Sequence, residues 1–129
     1  MKRIAILTLG VAALAGCGGG SKGATVYTKA ASDRCFADPQ LGIKLSPKVD
    51  FVASTASQGA VRLHLAQNDV TVLFGQTADE ANNLAEAYRR FHAKNVGIND
   101  ILFVQNNAVM LWRLHPSDVD RGTVENCLK

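Results

Sequence analysis

The feature that most constrains the fold is a hairpin pattern that occurs twice, each time followed by a helical pattern. In the first hairpin, the side chains of residues 60–66 alternate, with Val61, Leu63 and Leu65 on one side. After Gln67-Asn68-Asp69, residues 70, 72 and 74 form a second apolar face, with residues 71 and 73 opposite. This pattern on both sides of a turn predicts two antiparallel strands with one buried face.

The second hairpin spans residues 101–105 and 108–114, which are joined by Asn106-Asn107. Asparagine tolerates the positive φ that a tight hairpin turn needs. Both strands are apolar at nearly every position, which predicts a central place in the sheet.

A helix is predicted after each hairpin. Thr77 and Glu80 have the spacing of a capping box, and the helix that they begin runs to about Lys94. One face of this helix is apolar, with Ala81, Leu84, Ala85, Tyr88 and Phe91. Ser117 is a suitable N-cap for a last helix.

These elements predict an α+β fold. We expect a four-stranded antiparallel sheet made of two β-hairpins, each followed by a helix, with the helices packed on one face. A short N-terminal helix precedes them over residues 28–37. Residues 42–50 are expected to form a loop, and residues 51–53 a short strand or turn.

The beginning of the chain has the pattern of a secretory signal. Met1-Lys2-Arg3 is cationic, residues 4–13 are almost all apolar, and small residues lead to Cys17. The apolar run is shorter than the roughly 20 residues that a membrane-spanning helix needs.

The motif Leu14-Ala15-Gly16-Cys17 resembles the lipobox of bacterial lipoproteins. The resemblance covers only this signal, and nothing assigns the rest of the chain to a family. The resemblance implies that the chain is cleaved after Gly16 and that Cys17 is acylated. It also implies that the protein is anchored on the extracytoplasmic side of a bacterial membrane, either inner or outer. The partner that it implies is membrane lipid, held through the acylated Cys17.

Three segments follow from this resemblance and the patterns above. Residues 1–16 form the signal peptide, residues 17–26 the lipidated cysteine and a Gly-rich tether, and residues 27–129 a single α+β domain. Six residues of such a tether reach about 12–15 Å.

Cys35 and Cys127 remain as a pair once Cys17 is assigned to lipid. Export to an oxidising compartment predicts a disulfide between them. Two buried free thiols are the alternative.

The net charge gives no reason to expect a nucleic-acid partner. Lys2 and Arg3 leave with the signal, so 12 of the 14 basic residues remain against 11 acidic ones. No basic patch with interleaved aromatic residues is present in the sequence.

The sequence contains no recognisable catalytic or metal-binding motif. Its histidines, His64, His92 and His115, lack the spacing of metal ligands. We therefore expect no cofactor and predict a non-enzymatic envelope module that binds or supports a protein partner.

Two other functions stay open. A small envelope hydrolase could use His64 or His92, provided that a cleft joins the histidine to a carboxylate or a serine. A small-molecule sensor or carrier could use a ligand face that includes Trp112 and His64, although a buried core position also explains the tryptophan.

Overall fold

The structure, a computed structural model, describes residues 26–91 and 97–129. The predicted signal peptide, Cys17, most of the tether and His92 lie outside these ranges. Within them the chain forms four helices and five strands. The helices are α1 Lys29–Phe36, α2 Phe51–Ser54, α3 Ala78–Phe91 and α4 Asp118–Asn126. The strands are β1 Lys44–Ser46, β2 Ala60–His64, β3 Asp69–Phe74, β4 Leu102–Gln105 and β5 Ala108–Trp112.

The strands form one antiparallel sheet in the order β1-β2-β3-β5-β4. The prediction of an α+β fold with an antiparallel sheet is confirmed, and both predicted hairpins are present as β2–β3 and β4–β5. Asn106 has a φ of 50°, as the hairpin turn requires. The second hairpin is less central than expected, because β4 is an edge strand.

The prediction of four strands is wrong by one strand. β1 lies inside the expected loop and extends the sheet at the free edge of β2, where Leu45 pairs with Leu63. A strand of three residues is too short to show an alternating pattern in the sequence.

The prediction that the helices pack on one face is also wrong. On β3, Val70 and Val72 belong to a core shared with α1 and α4, whereas Leu73 belongs to a second core shared with α2 and α3. The same alternation on β5 sends Met110 to the first core and Val109 to the second. Because β5 is apolar on both faces and β3 adds Leu73 to the second face, both faces must be covered, and the domain has three layers.

Residues 51–53 form the start of α2 instead of the expected strand or turn. Asp50 is the N-cap of this helix, and its Oδ1 accepts a hydrogen bond from the Ala53 amide at 3.0 Å. An aspartate in this place stabilises the first turn because it satisfies an amide that has no partner within the helix.

The start of α3 agrees with half of the predicted capping box. The Thr77 hydroxyl accepts from the Glu80 amide at 3.1 Å. The Glu80 carboxylate, however, accepts from the Gln76 amide at 2.6 Å and from the Ser57 amide at 2.9 Å. Burial raises the pKa of Glu80. A hydrogen bond of 2.6 Å from the Ser57 hydroxyl, together with the two amide bonds, outweighs burial, so that the pKa lies below the usual glutamate value.

The predicted disulfide joins Cys35 at the end of α1 to Cys127 just after α4, with 5.3 Å between the two Cα atoms. The two cysteines are 92 residues apart, which corresponds to about 4.6 kcal/mol of loop-closure entropy in the chain-entropy account. The bond therefore fixes α1 and α4 together on the same face of the sheet.

Buried Asn107 holds the first described residues against the sheet. Its Oδ1 accepts from the Tyr27 amide at 2.7 Å, and its Nδ2 donates to the carbonyl oxygens of Tyr27 at 2.9 Å and Gly75 at 2.7 Å. The next amide, that of Thr28, donates to the carbonyl of Lys129 at 2.6 Å. The N-terminal segment is thus attached where β3 ends and β5 begins.

Of the helices in the described ranges, none combines the length and the apolar character that crossing a bilayer requires.

Candidate functional site

A groove opens on the α2/α3 face of the sheet, beside the C-terminal end of α3. Its volume is about 410 Å³, within the range of roughly 300–1,000 Å³ that is typical of small-molecule sites. The residues that line it are Asp50, Phe51, Val52, Tyr88, Phe91 and Leu111. Five of the six are apolar or aromatic, and Asp50 is the one that carries a charge.

Two of the aromatic residues are almost fully in contact with solvent. Phe51 is 79% exposed and Phe91 is 77% exposed. The predicted apolar face of α3 is buried at Tyr88, which belongs to the core shared with α2, but not at Phe91, which lies outside that core. Two exposed phenylalanines at one groove are an unfavourable use of apolar surface unless something covers them.

Tyr88 and Asp50 form the polar contact of the groove. The buried Tyr88 hydroxyl donates to the Asp50 carboxylate, with 2.8 Å to Oδ2 and 3.0 Å to Oδ1. Burial, followed by the hydrogen bond to Asp50 and the charge of Asp50, raises the pKa of Tyr88 far above its usual value. Tyr88 is therefore a neutral donor, and Asp50 keeps an exposed carboxylate at the groove.

A second depression, of about 350 Å³, adjoins the groove and shares Asp50 and Leu111 with it. Cross-strand pairing places Arg62 opposite Thr71 and Thr71 opposite Leu111, so these side chains are on the same face of the sheet. The part of this face that belongs to β1 and β2 is polar, in contrast to the apolar part under α3.

Asp69 is the centre of the charged groups in this depression. Its Oδ2 lies 3.4 Å from Arg62 Nη2 and 3.9 Å from Arg113 Nε, and its Oδ1 lies 3.0 Å from His64 Nδ1. Burial by itself would raise the pKa of Asp69. The hydrogen bond with His64 and the charges of His64 and the two arginines outweigh burial, so that the pKa lies below the usual aspartate value.

The residues singled out from the sequence are dispersed in the structure. His64 lies in the charged cluster, with 41% of its side chain exposed, whereas Trp112 is 1% exposed within the α1/α4 core. The two side chains lie on opposite faces of the sheet, so they do not form a common ligand face. His115 lies elsewhere, with Nδ1 at 2.9 Å from the Asp100 carbonyl oxygen.

The described parts of the chain contain no group of three His, Cys, Asp or Glu side chains that could hold a metal ion.

The chain was compared with known protein families, with characterised proteins and with solved structures. No significant match was found.

Asp50, Phe51 and Phe91 are the residues that the sequence did not single out. The sequence predicts Asp50 in a loop, Phe51 in a short strand or turn, and Phe91 on the apolar face of a helix. One local signal was available, since an aspartate followed by an apolar run is a usual N-cap pattern and would have indicated α2. No local signal could show that α2 lies beside the end of α3.

Proposed function

We propose that this protein is a lipid-anchored binding module of the bacterial cell envelope, and that the groove between α2 and α3 is its binding site. The observation that carries the proposal is the exposure of Phe51 and Phe91 on the two helices that border one groove. Aromatic side chains in this situation are the usual anchors of binding sites, since they bury a large area with few rotatable bonds.

The position of the groove supports this function. The N-terminal segment is attached at Tyr27, close to Gly75, and α3 begins three residues after Gly75. With 14 residues, α3 carries the chain about 20 Å away from that end before it reaches the groove. A domain tethered by its N-terminus to a membrane would therefore hold the groove on its far side, open to partners.

The anchor itself is tested by replacing Cys17 with Ala in the full chain. We expect the wild-type protein to be acylated, cleaved after Gly16 and recovered with membranes. The variant should carry no acyl chain and keep its signal, because Cys17 supplies the thiol that is acylated. Membrane fractionation and normal maturation of the Cys17→Ala variant would contradict the lipid anchor.

The groove is tested by crosslinking in intact cells. The double variant Phe51→Ser/Phe91→Ser is compared with Leu41→Ser/Val119→Ser, which also removes two exposed apolar side chains but elsewhere on the domain. A specific partner should be captured by the wild type and by the control pair, and lost from the groove variant. Equal capture by all three proteins would contradict binding at the groove.

A hydrolase is the second candidate, and the contact between His64 and Asp69 favours it. The distance of 3.0 Å from Nδ1 to Oδ1 is that of a base and the carboxylate that orients it. Asp69 also faces Arg62 and Arg113, so the pair is part of an ionic cluster too. Ester or phosphodiester hydrolysis that is abolished in His64→Gln, with unchanged folding, would establish the enzyme. Activity that is equal in both proteins would exclude His64 as its base.

A further inference from the structure

The groove brings together three aromatic side chains and one carboxylate. Phe51 comes from α2, Tyr88 and Phe91 come from α3, and Asp50 caps the start of α2. The face of an aromatic ring carries negative potential, so several rings around one cavity attract a cation. A carboxylate in the same lining adds a full negative charge.

We propose that the groove binds a quaternary or multiply alkylated ammonium group of a small soluble ligand. This inference rests on the proposed binding function of the groove and assigns the chemistry of its ligand. Such a cation has an apolar surface and a spread positive charge, so it gains from both the rings and Asp50. A compact, strongly hydrated ammonium ion would lose more of its hydration on entering an apolar groove.

The charge of the lining decides between a cationic and an anionic ligand. Asp50 is the charged residue of the groove, and its carboxylate accepts hydrogen bonds from the Tyr88 hydroxyl and from the Ala53 amide. The nearby guanidinium groups of Arg62 and Arg113 are gathered instead around Asp69, in the adjoining depression. A positive ligand group therefore finds its complement beside Phe51 and Phe91.

The exposure of the two phenylalanines gives the ligand its binding area. Each ring is more than three-quarters exposed, so a ligand that enters the groove covers apolar surface that is otherwise in water. Tyr88 is already buried and forms the fixed part of the lining. Its hydroxyl keeps Asp50 in place, which reduces the ordering that binding would otherwise require.

The location of the groove favours a dissolved ligand over a lipid headgroup. The groove lies at the end of α3 that is farthest from the attachment of the N-terminal segment at Tyr27 and Gly75. A membrane that held the domain by its N-terminus would be on the opposite side. The volume of about 410 Å³ also suits a small solute.

The test compares choline with 3,3-dimethyl-1-butanol, which has the same shape but no charge. The full chain is purified in maltoside micelles, and the methyl proton resonances of each ligand are followed by NMR during titration. Choline should give a saturable upfield shift, because its methyl groups lie over ring faces. It should bind at least about tenfold more tightly than the neutral compound, within the range of measured cation–π interactions.

Three variants identify the source of the affinity. Asp50→Asn removes the charge but keeps an oxygen that can cap α2 and accept from Tyr88, and it should weaken choline binding severalfold. Phe51→Leu and Phe91→Leu keep apolar area but remove the rings, and each should weaken binding by about 2- to 30-fold. Val119→Ala changes an exposed apolar residue outside the groove and should have no effect.

Equal affinity for choline and its neutral analogue would overturn the inference, and so would the absence of saturable choline binding. Binding to phosphatidylcholine vesicles without binding to free choline would overturn the assignment of a soluble ligand. If choline does not bind but the Phe51→Ser/Phe91→Ser variant still loses its crosslinked partner, the groove is a binding site and the ligand chemistry is wrong. Failure of both experiments would reject the proposed function as well.

Discussion

Replacing Asn107 with Ala should destabilise the domain more than most single substitutions. Asn107 is 1% exposed, and its side chain makes three hydrogen bonds to the main chain of Tyr27 and Gly75. Alanine leaves one amide and two carbonyl groups without this partner in a buried place. Each buried unsatisfied group costs about 1–3 kcal/mol, and water can enter the space that the amide leaves. We therefore expect a total loss of about 3 kcal/mol.

Urea unfolding of the oxidised protein measures this loss. With a slope of about 1.5–2 kcal/mol per molar urea, 3 kcal/mol lowers the midpoint by about 1.5–2 M. The matched control is Asn126→Ala, an exposed asparagine at the end of α4, which should change stability by less than about 0.5 kcal/mol.

Amide exchange locates the effect within the domain. The Tyr27 amide, which donates to Asn107 Oδ1 in the wild type, should exchange faster in the Asn107→Ala variant. A midpoint shift below about 0.5 M together with unchanged exchange at Tyr27 would refute the argument that these buried bonds hold the N-terminal segment.

Three further predictions concern the disulfide and two side chains of the α2/α3 face. Reduction of the Cys35–Cys127 disulfide should lower the free energy of unfolding, measured in urea, by about 4–5 kcal/mol. A decrease below about 1 kcal/mol would contradict the chain-entropy account. Because the folded-state pKa of Asp69 lies below its unfolded value of about 3.9, its contribution to stability is present above that pH and is lost as the pH falls through the lower folded value. Asp69→Asn should therefore be less stable than the wild type at pH 6 and lose less stability between pH 4 and pH 2. Unfolding free energies that fall in parallel with pH in the two proteins would contradict this. In an alkaline titration, the tyrosinate absorbance of Tyr88 should appear well above pH 10 and be absent from Tyr88→Phe. If the two proteins differ in tyrosinate absorbance only near pH 10, Tyr88 ionises as an ordinary tyrosine and the prediction is wrong.

Local patterns predicted the parts of the fold that depend on neighbouring residues. The β2–β3 and β4–β5 hairpins follow from alternation and from turn residues, and the start of α3 follows from Thr77 and Glu80. These features require contacts over only a few positions. β1 was not predicted, because its main-chain hydrogen bonds are made to β2, about 18 residues later in the chain. A strand of three residues is also too short to show an alternating pattern.

The prediction of helices on one face is wrong, although the residues of β5 point to two covered faces. Their continuous apolar character predicts a central strand, and β5 does lie between β3 and β4. The same character requires a cover on both faces, which contradicts helices on one side only. The edge position of β4 could not be deduced, because the pairing order depends on how the two hairpins join.

The candidate site depended on contacts between distant segments. Asp50 and Tyr88 are 38 positions apart, and their hydrogen bond forms only because α2 packs against α3. Phe91 continues the apolar spacing of α3 and yet is exposed, since no element among the described residues covers that position. Periodicity shows which side chains share a face, but not whether the face has a partner.

The sequence alone determined the hairpins and the beginning of α3, which follow from local spacing. It also indicated the pairing of Cys35 with Cys127, the two cysteines that remain when Cys17 is set aside. It also carries Leu14-Ala15-Gly16-Cys17, whose resemblance to a lipobox is the basis of the proposed anchor. The tertiary structure decided that both sheet faces are covered, that Trp112 is core, and that Phe51 and Phe91 border one groove beside Asp50. The exposure of a side chain depends on which elements pack around it and not on its own segment. The groove therefore forms only when α2 packs against α3.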